Sequence, residues 1–273
     1  MLKNINEIEF VIFDTETTGL DPASGDRIVE IAGVRIKGNQ RLGVFQSLVN
    51  PGRKISEAAF AVNKISQEML DGAPSVEEVI PKFMDFAKGA CLCSYNAGFD
   101  VEFLNNELKI IGLNPLDDAV IIDALKMSRR LVPNLERYAL WFVAKGLGIE
   151  NKQEHRAFSD VEMTLQLFYK LRDILAVKGI VDFPAFSNLF GLKSKQLDNI
   201  NNQRIAEIQQ AIDLGLKLKI RYISGVSAAI SEREVIPKEI KQEYNHSYLV
   251  GYCCSKRDER TFRIDGILHL ETI

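Results

Sequence analysis

Glu9-Phe10-Val11-Ile12-Phe13-Asp14-Thr15-Glu16-Thr17-Thr18-Gly19-Leu20 passes from an apolar run into two acidic residues and then a Thr-Gly turn. The apolar part reads as a buried strand. Successive strand side chains point to opposite faces, so Asp14 and Glu16, two apart, share one side and could hold one cation between them. An acidic strand end before Thr-Gly is equally an ordinary turn, so the pair must be weighed with the rest of the chain.

Moving outward, Arg27 to Lys37 and Arg41 to Asn50 are β-branched, partly alternating runs separated by Gly38-Asn39-Gln40. They predict two further strands joined as a hairpin. From Ser56 to about Lys88 the apolar spacing becomes helical, with Pro74-Ser75 as a helix start. Ala90 to Tyr95 is a fourth strand, Gly98 to Ile111 a helix and Ala119 to Ile122 a short strand. Three helical segments follow, the last from about Arg156 to Val177. Strands first, then strands alternating with helices, predict a mixed sheet flanked by helices. Gly179, Pro184, Gly191 and a polar Lys-Ser-Lys-Gln stretch mark residues 178–202 as a linker. A helix at Gln203 to Leu216 then leads into short strand-like runs at 217–223, 234–237, 247–254, 261–264 and 267–270, a small all-β domain.

The 273 residues, 46% hydrophobic and 26% charged, suffice for one large or two moderate globular domains. The N-terminus lacks the pattern of a signal peptide and no apolar run is long enough for a membrane helix, so a cytoplasmic location and no membrane partner are expected. Cys91, Cys93, Cys253 and Cys254 form two close pairs without C-x-x-C spacing and read as free thiols. The net charge of -3 does not exclude a nucleic-acid partner, because a carboxylate cluster that binds divalent cations can accept phosphate locally. There is no internal repeat or low-complexity segment.

Two later stretches complement the first. In Tyr95-Asn96-Ala97-Gly98-Phe99-Asp100 an acidic residue sits where a strand passes into a helix. In His155-Arg156-Ala157-Phe158-Ser159-Asp160 a histidine precedes an aspartate by five residues at another helix start. Taken in this order, the three motifs make residues 8–176 resemble the DEDDh 3′→5′ exonucleases, in particular those similar to the proofreading epsilon subunit of bacterial replicative DNA polymerase. Ile65-Ser66 through Gly72-Ala73-Pro74 and Ile122-Asp123-Ala124-Leu125 fit the same pattern, whereas Asn63 and Tyr95 stand where that family often has His. The resemblance implies an α/β fold of ribonuclease-H-like type, a mixed five-stranded sheet with flanking helices. It implies Asp14, Glu16, Asp100 and Asp160 as ligands of two Mg²⁺ or Mn²⁺ ions, and His155 as the base.

Hard divalent cations take oxygen ligands, and four carboxylates plus a substrate phosphate can hold two of them about 4 Å apart. One would activate water and the other stabilise the leaving 3′ oxygen, while an imidazole takes the water's proton, releasing a 5′-mononucleotide. By the same resemblance Thr17 and Leu20 receive the terminal nucleotide. Asn96 and Phe99 line the same cleft, although Phe99 serves equally well as core. Asp123 is accounted for as a helix cap. His246 and His269 receive no role.

Residues 203–273 resemble a WYL domain, a small β module with an Sm/SH3-like barrel. The match rests on Leu218-Lys219-Ile220-Arg221-Tyr222, Arg233-Glu234-Val235-Ile236-Pro237, Tyr248-Leu249-Val250-Gly251-Tyr252-Cys253 and Arg260-Thr261-Phe262-Arg263-Ile264-Asp265. Ser247 replaces the Trp of the family name, and Gly266 stands where Arg is usual. The resemblance offers Tyr222, Arg233, Tyr248, Arg260 and Arg263 as a pocket for single-stranded nucleic acid or a nucleotide. The same residues are otherwise barrel core and solvated edge.

The expected function is a metal-dependent exonuclease acting on a free 3′ end, most simply of single-stranded DNA in proofreading or repair, with a polymerase or repair protein as possible partner. An exoribonuclease trimming RNA 3′ ends shares the motifs. A ligand-sensing or nucleic-acid-binding regulator with an inactive nuclease domain is the third reading, against which the intact five-residue set stands.

Overall fold

The computed structural model describes residues 3–117, 119–150, 155–192, 195–243 and 246–273. Its central strand is β1 (Glu9–Thr17), which pairs antiparallel with β2 (Ile28–Lys37) and parallel with β4 (Cys91–Ser94). With β3 (Gln40–Leu48) and β5 (Ile121–Asp123) at the edges, the sheet runs β3-β2-β1-β4-β5. This is the expected mixed sheet, its hairpin turning at Gly38 and Asn39.

β1 is covered on both faces, and its alternation sorts the chemistry. Phe10 and Ile12 belong to one core with Val161, Leu165 and Phe168 of α7 (Ala157–Val177), over which α5 (Ala124–Leu131) and α6 (Leu140–Gly146) also pack. Val11 and Phe13 belong to a second core, with Val79, Ile80 and Phe83 of α3 (Val76–Ala87) and Phe103 and Leu104 of α4 (Ala97–Ile110). Asp14 and Glu16 continue the first parity toward α7, and Thr15 continues the second toward α4.

The helical period expected from Ser56 to Lys88 is divided into α1 (Glu57–Asn63), α2 (Gln67–Asp71) and α3. Ser56 and Ser66 cap the first two by accepting from Ala59 N and Met69 N, and Lys64 ends α1 in the left-handed region at φ 59°. Residues 178–202, read as a linker, include α8 (Phe183–Phe190) and the start of α9 (Lys195–Asp213). Pro184 was read as a breaker, but it lies in the first turn of α8, where its missing N–H costs nothing. Phe186 and Phe190 on that helix are fully buried, and Phe186 packs on Phe10 and Phe168.

The C-terminal strands are β6 (Leu218–Ile223), β7 (Ile230–Glu243), β8 (His246–Cys253), β9 (Asp258–Arg263) and β10 (Ile267–Thr272), all antiparallel in the order β10-β6-β7-β8-β9. The expected all-β unit is present, but β9 and β10 are not paired with each other, so among the described residues the sheet is open and forms no closed barrel. Ile208 and Ala211 of α9 join its core beside Leu218, Val235 and Phe262, so a helix covers the apolar face. β7 extends well beyond the expected 234–237, because the register shift between Pro237 and Glu239 accommodates a residue without an N–H. All four cysteines are free. No helix among the described residues is long and apolar enough to cross a membrane.

Candidate active site

Asp14 and Glu16 reach from β1 toward the first turn of α7, where Asp160 lies. One carboxylate oxygen from each of the three can be chosen so that all lie within 4.8 Å of one another. Asp100, on α4, approaches from the other parity. Its Oδ1 accepts from Thr15 N at 3.0 Å and Thr15 Oγ1 at 2.7 Å, and its Oδ2 from Ser94 Oγ at 2.5 Å. It stands outside the tight triad yet near enough to raise the pKa of both Asp14 and Glu16.

Burial is the largest cause of the site's unusual acidity, and like charge adds to it. The Asp14 carboxyl is held well above its ordinary range by burial, then by Asp100, Asp160, Glu16 and Glu30. Glu16 is pushed up to about 8 by burial, then Asp160, Glu30 and Asp100, against a hydrogen bond from Asn63. Asp100 rises only to about 6, because the bonds from Ser94 and Thr15 stabilise its charged form against burial. Crowded carboxylates of this kind are relieved by a cation, and the donor set is the all-oxygen one that Mg²⁺ or Mn²⁺ prefers. The residues therefore fit divalent metal.

Glu30, which belongs to none of the three motifs, is 1% exposed and lies directly across the β1–β2 ladder from Glu16. Its Oε2 accepts from Arg156 Nε at 2.9 Å and Ala157 N at 3.0 Å, and its Oε1 from Arg156 Nη2 at 2.8 Å. Glu30 thus ties the start of α7 to the sheet, immediately after His155 and three residues before Asp160. Only the strand register, invisible without pairing, would have brought it into view.

The other expected residues divide. His155 is not one of the triad; it is exposed, with φ 47°, just before α7. Thr17 is buried, its Oγ1 donating to Gly19 O at 2.5 Å, whereas Leu20 is 84% exposed. Asn96 caps α4 in the left-handed region at φ 63°, and Phe99 is partly buried against Phe103. Asp123 is the N-cap of α5, accepting from Leu125 N at 2.9 Å and from Asn96 N at 3.2 Å. Asn63, where the resembling family often has His, is buried, and its Oδ1 accepts from Ile65 N at 3.0 Å.

Of the five tail residues, Tyr222 and Tyr248 both stand near Arg263. Tyr222 packs edge-on against Phe262, and Arg233 donates to Ser231 Oγ and Ser255 Oγ. Arg260 pairs with Asp258 at an exposed edge, Tyr248 stands beside His246, and Arg263 is held by Asp265. Gly266 is also explained, since a Cβ there would meet the Tyr222 ring at 2.8 Å.

Residues 11–168 match the family described as Exonuclease, and residues 203–272 match the WYL domain. The chain is 40% identical over 185 residues to a DNA polymerase III subunit epsilon-like protein of Rhodobacter capsulatus, covering 66% of this chain and 26% of that protein. It is 31% identical over 251 residues to a PolC-type DNA polymerase III of Caldanaerobacter subterraneus, covering 92% of this chain and 18% of the polymerase. The chain thus spans about a quarter or less of either relative's length. Among solved structures, E. coli Exonuclease I in complex with a dT13 oligonucleotide is similar at TM-score 0.60 and 18% identity, over 89% of this chain and 55% of that one. The nuclease domain of 3′hExo, a DEDDh family member bound to rAMP, is similar at TM-score 0.57 and 18% identity, over 70% of this chain and all of that one. The shared feature at these identities is the fold.

The mixed sheet thus presents paired carboxylates from its central strand to a flanking helix. The chain belongs to the exonuclease family, with the motif pattern of its DEDDh 3′→5′ branch and a WYL domain following.

Proposed function

We propose that the protein removes nucleotides from the 3′ end of DNA in a reaction dependent on divalent cations, with Asp14, Glu16, Asp100 and Asp160 as the metal-binding set. The observation that carries this reading is the convergence of Asp14, Glu16 and Asp160 oxygens within 4.8 Å of one another, in surroundings that disfavour the charge of Asp14 and Glu16. Mg²⁺ or Mn²⁺ bound there would supply an activated water and neutralise charge on the leaving 3′ oxygen. The protein's part is to hold the ligands. Ser94 and Thr15 keep Asp100 oriented, and Glu30 fixes the backbone that carries His155 and Asp160. His155, exposed just before α7, acts as base. Thr17, Leu20, Asn96 and Phe99 contact the terminal nucleotide; the exposed Leu20 side chain suits stacking against a base or sugar.

DNA is favoured over RNA because both relatives described above are named as DNA polymerase III proteins. Residues 1–177 together with α8 are the catalytic unit and 203–273 an accessory unit. Activity on 3′-labelled single-stranded DNA, duplex ends and RNA, each with Mg²⁺ and with EDTA, tests the reading. Loss of label from DNA with Mg²⁺ alone supports it, and preference for RNA would move the protein to the exoribonuclease alternative.

A further inference from the structure

Between the two domains lies a cavity of about 920 Å³ that neither the carboxylate site nor the expected tail pocket accounts for. Three lining side chains each have a buried polar atom with no hydrogen-bond partner among the described residues: Arg130 Nη1, Asn188 Oδ1 and Asn201 Oδ1. Arg130 and Asn188 are only 8% and 7% exposed. Buried polar atoms are almost always paired, and here three orphans, from α5, α8 and α9, meet at one space. The direction of the Asn188 amide is set by its Nδ2, which donates to Asp265 O at 3.1 Å and leaves Oδ1 as an acceptor.

The sign of the cavity follows from its walls. Among the described lining residues, Lys126, Arg129, Arg130 and Arg263 are offset by Glu243 and Asp265, in a chain whose overall charge is -3. Asp265 is already shared between Arg263 and Arg130, the latter at 3.9 Å. Lys126 and Arg129 are both exposed on α5, next to the buried Arg130, so the cationic wall belongs largely to the nuclease domain. A matching ligand carries about two negative charges for the guanidinium groups and hydrogen-bond donors for the two amide oxygens. Its volume lies within the roughly 300–1,000 Å³ of small-molecule sites.

We propose that this cavity binds a 5′-mononucleotide, its phosphate monoester against Lys126, Arg129 and Arg130 and its hydroxyl or amine donors toward Asn188 and Asn201. The choice of a nucleotide rests on the nuclease reading, which supplies that product at the protein; the anionic character does not. Of the five tail residues expected to form a pocket, Arg263 alone lines this one, and His246, given no role from sequence, lines it too.

The test is calorimetric titration of the full chain in EDTA, so that no metal recruits phosphate to the carboxylates. Deoxyadenosine 5′-monophosphate is the probe, beside deoxyadenosine, inorganic phosphate and a 5′-phosphorylated tetradeoxynucleotide. Saturable binding of the monophosphate is expected, with deoxyadenosine weaker by about tenfold or more. The exposed-residue variant Lys126→Gln/Arg129→Gln should weaken it by about tenfold and Asp14→Asn should leave it unchanged. Tighter binding of the tetranucleotide would keep the site and make a strand's 5′ end its occupant. Absence of saturable binding by either phosphomonoester, unchanged affinity in the double variant, or loss in Asp14→Asn would each overturn the proposal. Because no turnover is read, an inactive nuclease would leave this result standing.

Discussion

The two five-stranded sheets of this chain treat charge in opposite ways. In the N-terminal sheet, Asp14, Glu16 and Glu30 project from adjacent strands toward one helix, and the ladder sets Glu16 directly opposite Glu30. Like charges opposed across strands destabilise a sheet, and burial compounds the effect. Glu30 is compensated by Arg156, while Asp14 and Glu16 beside it have their pKa raised by burial and by neighbouring carboxylates. In the C-terminal sheet, Lys219 pairs with Glu232 and Lys238 with Glu259, with side chains about half or more exposed. On the proposed reading the contrast separates charge arranged for chemistry, which costs stability until a counter-ion arrives, from charge arranged for solubility.

That contrast breaks most sharply at the proposed metal-binding set. Asp14→Asn should lower 3′-end hydrolysis by at least about a hundredfold while leaving the metal-free melting temperature unchanged or raised, since it removes a repelling charge. A melting temperature well below that of the native chain would mean that Asp14 is structural. Next, Glu30→Gln should lower kcat more than KM, by about tenfold or more, because it loosens the backbone carrying His155 and Asp160 rather than a substrate contact. Glu30→Ala should also cost about 3 kcal/mol in urea unfolding, as expected when a buried partner of a charged group is removed. Equal effects on kcat and KM would reassign Glu30 to substrate binding.

A pH series sharpens the same comparison. Glu16 is raised from 4.5 to about 8, so the folded state holds that proton more tightly than the unfolded state. The stability this confers is fully present below the unfolded value and is lost as pH rises through the folded one. Metal-free protein should therefore melt at progressively lower temperature from about pH 5 to 8, and Mg²⁺ should restore more stability at pH 8 than at pH 5. Thermal shift with and without the ion measures this, and a pH-independent Mg²⁺ effect would contradict it. The smallest effect belongs to the tail, where Lys238→Ala should change stability by no more than about 0.5 kcal/mol.

How much of this was legible in sequence depended on range. Asp14 and Glu16 could be read as neighbours because strand alternation is local, and Asp123 could be read as a cap for the same reason. Asp100 and Asp160 were accessible only through the order of three motifs, since nothing local brings α4 and α7 to one strand. Glu30 was not accessible, because its meaning comes from the β1–β2 register and from Arg156, 126 residues away. The linker reading failed at α8 because Pro184 and the flanking glycines punctuate a helix whose Phe186 and Phe190 are held by tertiary packing. The cavity between the domains could not be read either, since its walls come from α5, α8, α9 and the tail strands.

The most direct test of the account is release of label from single-stranded DNA marked at its 3′ end and, separately, at its 5′ end. With Mg²⁺, the 3′ label should leave first as a 5′-mononucleotide, the 5′-labelled strand should shorten stepwise, and EDTA or Asp160→Asn should stop both. Release that begins at the 5′ end, or that proceeds at an undiminished rate in EDTA, would contradict it.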